Sequence, residues 1–339
     1  MNPNRDAVLA AVFSTAMLTS TLLTMAILTM TILTMSSPAR ALDFPVKPVK
    51  VIVSFPPGGL TDVIARLMAQ RMGERLKQPV IVENKPGAGG AIGTELTAKA
   101  APDGYTITFT AVSHIIQPHL SKNIRYDVRK DFSSIAMIGN LPSAFIVNPA
   151  FPATHLAQLV QHARANPGKL TYGSWGVGTS AHVRLEMLKT ENKIDMLHVP
   201  YQGSAQALTG VMSGQIDMMM IPLSLVEGNH KDGRVRMIGV TTAKRITSAP
   251  DVSTFSEQGI PANGASWQGF LGPANIPADI VAVLNREISA TAEEPQTRAA
   301  LVKNGFEVVT NSPQEFKAYL DSEYEYWGKA IRTAKIPVE

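Results

Sequence analysis

The chain has 339 residues, of which 45% are hydrophobic and 17% charged, and its formal net charge is +4. This length exceeds what one hydrophobic core usually supports, so it predicts two domains, and the composition excludes a disordered chain. The basic residues are scattered, which argues against a nucleic-acid partner, and the absence of cysteine excludes disulfides, thiolate metal sites and cysteine nucleophiles.

The first 41 residues differ in kind from the rest. Arg5 precedes a nearly uncharged run over residues 7–35, and Ala39-Arg-Ala41 follows it. A basic start, an apolar core and an Ala-x-Ala site are typical of a secretion signal, here cleaved after Ala41. The run is also long enough to span a bilayer, which leaves a retained anchor as the alternative. We expect residues 1–41 to be a signal peptide and the remainder to be exported across the membrane.

Four glycine-rich turns follow strand-like runs and precede helical patterns, within residues 51–62, 84–93, 172–182 and 198–205. A turn of this kind leaves backbone N–H groups free at a helix N-terminus, where the helix dipole favours negative charge. Any one of these turns is weak evidence for binding because glycine is common in turns. Together they predict a cleft that holds a small anion.

Apolar strands alternate with amphipathic helices, which predicts an α/β fold with mostly parallel sheet. The predicted strands are 51–55, 80–83, 106–111, 169–173, 196–199, 217–221 and 237–241. The predicted helices are 61–77, 91–101, 156–165, 180–191, 205–213, 278–291, 294–304 and 313–333. If the chain crosses between lobes near residues 139–148 and 266–272, the second domain is an insertion. We therefore expect lobe 1 over 42–145 plus 267–339 and lobe 2 over 146–266.

A few side chains near these turns are candidates for ligand contact. Thr61 can offer its hydroxyl to an anion, whereas the neighbouring Asp62 would repel one, so we assign Asp62 to capping and loop organisation. His114 follows a predicted strand and is placed to line the same cleft. Trp267 lies at the proposed hinge, where packing between the domains and lining of the cleft mouth are both open.

Catalysis has no positive signal in the sequence. Gly176-Val-Gly-Thr-Ser-Ala181 satisfies G-x-G-x-x-A after a strand, but Asp195 precedes the next strand instead of ending it, which argues against a dinucleotide site. Neither H-E-x-x-H nor G-x-S-x-G is present. We expect no catalytic residue, no cofactor and no metal. An exported NAD-dependent or hydrolytic α/β enzyme is kept as the alternative.

Several runs in order resemble one known family over nearly the whole chain after residue 44. They are VKPVKVIVSFPPGGLTDVIAR, QPVIVENKPGAGGAIGTE, APDGYT, YDVRKDF, ANPGKLTYGSWGVGTSAH, HVPYQGSAQALTGVMSGQID and WQGFLGPANIP. The chain is similar in these runs to the Bug family, also called TctC-like, the periplasmic solute-binding proteins of tripartite tricarboxylate transporters.

The resemblance implies a two-lobed type II periplasmic-binding-protein fold with a central ligand cleft that closes like a clamshell. It implies a non-enzymatic monomer that binds a di- or tricarboxylate or an aromatic carboxylate and delivers it to membrane permease subunits. A sensor role is the other reading of the same fold. The implied ligand-binding residues, taken with those above, are Phe55, Pro57, Gly58, Gly59, Thr61, Gly89, Gly90, Ser113, His114, Ser174, Gly176, Thr179, Ser180, Gly203, Ser204 and Trp267.

Overall fold

The structure is a computed structural model that describes residues 43–242, 244–260 and 266–338. The predicted signal peptide, residues 1–41, lies outside these ranges. The described elements belong to one compact unit, Phe44–Glu339. Within the part of the chain that the structure describes, no helix is both long and apolar enough to cross a bilayer.

The described strands form two sheets. The strands are β1 (Val49–Val53), β2 (Val80–Asn84), β3 (Thr106–Ala111), β4 (Phe132–Leu141), β5 (Ser143–Val147), β6 (Leu170–Ser174), β7 (Met196–Pro200), β8 (Met218–Pro222), β9 (Arg236–Val240), β10 (Ser266–Pro273) and β11 (Glu307–Val308). One sheet has the order β11-β4-β10-β3-β1-β2, and the other has β7-β6-β8-β5-β9. We call the first sheet with its helices lobe 1 and the second lobe 2.

Both sheets are mixed, so the expectation of mostly parallel pairing is wrong. β1 pairs in parallel with β2 and β3, and β6 pairs in parallel with β7 and β8. In contrast, β10 runs antiparallel to β3 and β4, and β5 runs antiparallel to β8 and β9. β5 and β10 are the first strands after the two passages between the lobes, and each runs against the direction of the strands in its sheet that lead into helices.

The helices cover the two sheets. They are α1 (Leu60–Leu76), α2 (Ala91–Ala98), α3 (Ser113–Leu120), α4 (Leu156–Ala165), α5 (Ser180–Asn192), α6 (Ser204–Met212), α7 (Glu227–Lys231), α8 (Ala278–Glu293), α9 (Pro295–Lys303) and α10 (Pro313–Thr333). Every predicted helix is confirmed to within a few residues at its ends. The structure adds α3 and α7, which the sequence patterns do not predict.

Each lobe has its own hydrophobic core. In lobe 1, the ring centroids of Phe109 and Phe270 lie 4.8 Å apart beneath α1. In lobe 2, Phe145 and Tyr172 are among the buried residues packed with α4 and α5. The two sheets with their flanking helices confirm the predicted two-lobed α/β class, because each sheet needs a separate apolar core to cover its faces.

The chain passes from lobe 1 to lobe 2 at Pro142, the single residue between β4 and β5, and returns between β9 and β10. The two passages touch, because the Ser143 N–H donates to the Thr241 hydroxyl at 2.8 Å and the Thr241 N–H donates to the Ser143 carbonyl at 2.9 Å. The lobe boundaries at residues 145 and 267 stay a prediction.

We expect Phe109→Ala to lower the free energy of unfolding by about 3–5 kcal/mol, because it leaves a cavity against Phe270 in a fully buried site. The exposed Val63→Ala on α1, where Val63 is 46% exposed, is the control and should change the value little. Urea unfolding followed by circular dichroism measures both. Equal losses in the two variants would contradict this assignment of the core.

Candidate functional site

The four glycine-rich turns all lie at the carboxyl ends of strands and lead into helices. The residues that precede the helices are Gly59 before α1, Gly90 before α2, Thr179 before α5 and Gly203 before α6, and no side chain caps any of these starts. The first N–H groups of a helix have no acceptor within the helix. At the starts of α1 and α6 these N–H groups are therefore available to a ligand or to water, whereas the Ala91 N–H at the start of α2 donates to the Ala88 carbonyl.

The starts of α1 and α6 face each other across a cavity of about 330 Å³, which we call cavity A. Lobe 1 contributes the turn before α1 and Thr61, and lobe 2 contributes Gly203 and Ser204. Leu141 and Ser143, on either side of the passage at Pro142, also line it. Cavity A thus brings together one helix start from each lobe.

A second cavity of about 680 Å³, cavity B, lies between the other two turns. Lobe 1 contributes the turn from Gly87 to Gly90, and lobe 2 contributes Gly176 and Thr179. The residues that cavity A and cavity B share are Phe55, Pro56, Trp175 and Gln202. The two cavities are therefore adjoining parts of one cleft, with Phe55 and Trp175 between them.

Lysine, arginine, histidine, aspartate and glutamate are absent from the described residues that line the two cavities. The polar groups there are hydroxyls, side-chain amides and backbone N–H groups. Helix dipoles favour negative charge at such helix starts. The cleft is suited to an anion that is bound by dipoles and hydrogen bonds instead of by an ion pair.

Asp62 holds the turn before α1 in shape. Its carboxylate accepts hydrogen bonds from the Gly58 N–H at 2.9 Å, Arg66 Nε at 3.1 Å and the Asn84 amide at 2.8 Å. Burial raises the pKa of Asp62, but the hydrogen bonds from Arg66, Gly58 and Asn84 outweigh it and hold the pKa below its usual value. The negative charge of Asp62 is therefore used in hydrogen bonds that hold the loop together.

Thr61 lies on the wall of cavity A, on the first turn of α1. The Gln268 amide donates to its hydroxyl oxygen at 3.2 Å. Since a hydroxyl that accepts one bond still has a hydrogen to donate, Thr61 Oγ1 can donate to an anion in the cavity. Gln268 is itself in the lining.

The turn before α5 rests on a polar cluster beneath it. Ser174 is fully buried, its hydroxyl donates to the Gly176 carbonyl at 3.0 Å, and its oxygen lies 2.7 Å from His198 Nε2. The Gly178 N–H donates to His182 Nδ1 at 3.2 Å. Burial, followed by the neighbouring His182, lowers the pKa of His198 to about 4, so the imidazole is neutral at pH 7. These contacts support the loop from behind.

The structure brings most of the predicted ligand-binding residues to the cleft. Those that line it are Phe55, Pro57, Gly58, Gly59 and Thr61 with Gly203 and Ser204 in cavity A, and Phe55 again with Gly89, Gly90, Gly176 and Thr179 in cavity B. Those that line neither cavity are Ser113, His114, Ser174, Ser180 and Trp267.

The residues away from the lining have other surroundings. His114 is buried against Tyr126 and Phe132, and Trp267 is buried edge-on to Phe316. Ser113 and Ser180 are buried at the first positions of α3 and α5. For all five residues, the predicted contact with ligand stays a prediction.

Trp175, Gln202 and Gln117 line the cleft although the sequence patterns do not single them out. Trp175 and Gln202 lie inside the third and fourth glycine-rich turns, so their position in those turns was the available signal. Gln117 lies on α3, and no local pattern points to it.

A third cavity, of about 420 Å³, lies outside the cleft between α5 and α10. Its lining is mostly aliphatic and aromatic, with Arg184, Glu191 and Lys329 among the other side chains. None of the four helix starts described above opens onto it. The uncapped helix starts therefore face the cleft and not this cavity.

Comparison with known proteins gives a consistent result. The family model for the tripartite tricarboxylate transporter family receptor matches residues 64–336. The chain is 31% identical to the protein BugT of Bordetella pertussis over 300 residues, covering 88% of this chain and 92% of BugT.

Two solved structures have the same fold. The periplasmic binding protein BugD is 29% identical, with a TM-score of 0.79, 87% of this chain covered and 99% of BugD. A protein of R. palustris solved with adipate is 31% identical, with a TM-score of 0.80, covering 87% of this chain and 99% of the other. The similarity therefore spans both lobes and the cleft.

We expect Asp62→Ala to lower the free energy of unfolding at pH 7 by about 1–3 kcal/mol, because it removes the acceptor of three hydrogen bonds at a buried site. The lowered pKa means that the native state favours the charged form. This stabilisation is present above about pH 3.9 and is lost as the pH falls through the lower pKa of the folded protein. Urea unfolding at pH 7 and pH 3 should show a smaller difference between variant and wild type at pH 3, and a difference that grows would contradict this role.

Burial lowers the pKa of His114 to about 3, and neither ring nitrogen has a hydrogen-bond partner. Between pH 6.5 and about 3 the unfolded chain binds more protons at this residue, so stability falls as the pH falls, by up to about 1.4 kcal/mol per pH unit. We expect His114→Leu to remove this part of the slope in urea unfolding at pH 7, 6 and 5. A variant with the wild-type slope would show that His114 is not held neutral by the core.

Proposed function

Because the chain belongs to the tripartite tricarboxylate transporter receptor family, we propose that it is a periplasmic solute-binding protein for a small organic dicarboxylate. In this proposal the two lobes close on the ligand like a clamshell, and the loaded protein delivers it to the membrane permease subunits of a tripartite tricarboxylate transporter. The protein works as a monomer and performs no catalysis.

The pairing of helix starts across the cleft carries the proposal. Cavity A joins the start of α1 in lobe 1 to that of α6 in lobe 2, and cavity B joins the turn before α2 to the start of α5. Closure moves both members of each pair toward the same anion, so binding favours the closed form. An anion held by one lobe alone would give no such coupling.

Two such pairs favour a ligand with two negative ends. One carboxylate would occupy cavity A near Thr61, the other cavity B near Thr179, and an apolar middle would pass between Phe55 and Trp175. The R. palustris relative was solved with adipate, whose two carboxylates flank an apolar chain of this kind. The carboxylates meet N–H groups and hydroxyls, so arginine is not needed.

The magnitudes are sufficient for a transport protein. A hydrogen bond to a charged group contributes roughly 1.5–3 kcal/mol, and a helix end about 0.3–1 kcal/mol. Three or four such bonds and two helix ends, less the cost of closing and ordering the cleft, reach the roughly 8 kcal/mol of micromolar binding. Binding of this strength permits both capture and release.

The apolar run and Ala-x-Ala site of residues 1–41 support periplasmic localisation, as does the likeness to the periplasmic protein BugD.

The enzyme alternative has one contact in its favour, since Ser174 Oγ lies 2.7 Å from His198 Nε2. A nucleophile must reach its substrate, and Ser174 is fully buried and lines neither cavity. The geometry thus favours binding without catalysis.

We expect α,ω-dicarboxylates of four to six carbons to bind with micromolar Kd in isothermal titration calorimetry. Hexanoate, which matches adipate in length but lacks one carboxylate, should bind about 10- to 150-fold more weakly, because it loses the charge-assisted bonds of one end. Equal affinity for hexanoate would overturn the two-ended mode of binding. Binding of NAD, and of no carboxylate, would favour the enzyme.

Thr61→Val keeps the shape of the side chain and removes the hydroxyl from cavity A. It should weaken adipate binding by about tenfold, since it leaves a carboxylate oxygen without a donor. Thr209→Val, on an exposed position of α6 outside the cavity lining, is the matched control and should bind like wild type. Identical affinities in both variants would remove Thr61 from the site.

A further inference from the structure

One side chain connects the lobes across cavity B. Gln117 lies on α3 in lobe 1 and is 7% exposed, and its Nε2 donates to the Val177 carbonyl of lobe 2 at 3.2 Å. The carbonyl can only accept, so the amide nitrogen is the atom that faces it. The bond therefore has a defined direction across the cleft.

The two turns around this amide leave room for it only because they carry glycine. A Cβ built on Gly89 of lobe 1 would lie 1.7 Å from Gln117 Nε2, and one built on Gly178 of lobe 2 would lie 2.3 Å from it. Both glycines have positive φ, +61° and +75°. Turns from the two lobes thus enclose the same amide group.

The partner loop is fixed on its own side. The Gly178 N–H donates to His182 Nδ1 on α5, and the Thr179 hydroxyl donates to the Gly176 carbonyl at 2.7 Å. The Val177 carbonyl is therefore presented by an ordered turn. When the lobes separate, the buried Gln117 amide loses this acceptor and must find water.

We propose that Gln117 is an interlobe latch, a positioning residue that stabilises the closed form and slows ligand release. Its bond to Val177 exists only while the turns carrying Gly89 and Gly178 are together, so it shifts the equilibrium between open and closed forms toward closed. The inference rests on the proposed function for the opening and closing of the lobes and for the ligand used in the binding test.

The lobe separation can be measured without any ligand. Since the chain has no cysteine, Ile81→Cys on β2 and Leu197→Cys on β7, 53% and 60% exposed in the parent, accept spin labels in lobe 1 and lobe 2. Pulsed electron–electron double resonance then gives the distance between the labels. Gln117→Ala should move the distribution toward the longer, open distance, and the exposed Gln70→Ala on α1 should leave it unchanged.

Ligand kinetics give the second measurement. With adipate as the probe, Gln117→Ala should raise the dissociation rate and Kd by about 2- to 12-fold, the range for one hydrogen bond, with little change in the association rate. Gln117→Asn should behave like Gln117→Ala, because its shorter side chain does not reach Val177. A helix-destabilising effect alone would lower the melting temperature and leave the label distances unchanged.

The outcomes separate the two proposals. If wild type does not bind adipate or any other dicarboxylate, the proposed function fails, but the label distances still test the latch. If Gln117→Ala has wild-type label distances, the latch is overturned whether or not ligand binds. If Gln117→Ala has the longer distances and faster release of adipate, both proposals are supported.

Discussion

The proposed binding site depends on backbone donors at helix starts, which have no acceptor within their own helix. Each strand–turn–helix unit leaves the first N–H groups of a helix without an acceptor in that helix, and the topology places four such starts at the space between the lobes. Polar groups in a closed, dry cleft are costly unless something accepts their hydrogen bonds. The N–H groups at these helix starts therefore need an anion or ordered water as acceptor, and in the proposed closed form, which would hold less water, this need is greater.

The distribution of charge explains why the site can use dipoles alone. Asp62 is the carboxylate nearest the first turn along the chain, and its bonds to Gly58, Arg66 and Asn84 keep its charge inside the loop. The described lining of both cavities carries no lysine, arginine, histidine, aspartate or glutamate side chain. An anion there meets no positively charged side chain, so it would be held by well-placed N–H groups and hydroxyls. In the proposed clamshell motion, opening the lobes separates the donors and weakens the whole set at once, so the same motion would release the ligand.

Local signals predicted the local parts of this site, and the rest depends on tertiary pairing. Glycine-rich turns after apolar runs correctly predicted the helix starts, because turn chemistry and helix periodicity depend only on residues that are close together in the sequence. Which turns face each other is set by the order of strands in two sheets. The sequence therefore did not predict that Gly59 meets Gly203 across cavity A. Likewise, Pro118 within α3 obscured the helix that carries Gln117. The tertiary pairing also decides the positions of two tryptophans with similar apolar neighbours in the sequence: Trp175 lies in the cleft and Trp267 lies in the core.

In the proposed clamshell motion, the hinge at the two passages and the Gln117 latch lie at different cavities. Leu141 and Ser143, which flank the passage at Pro142, line cavity A, and Ser143 is bonded to Thr241 of the second passage. Gln117 bridges the lobes at cavity B. Rotation about the passages produces a small displacement near Pro142 and a larger one at points farther from it. A single hydrogen bond placed away from the hinge is broken by a small rotation, so it discriminates between open and closed forms better than a bond beside the hinge. A ligand that occupies both cavities would connect the part of the cleft that turns to the part that separates, and its length would then determine how far the lobes can close.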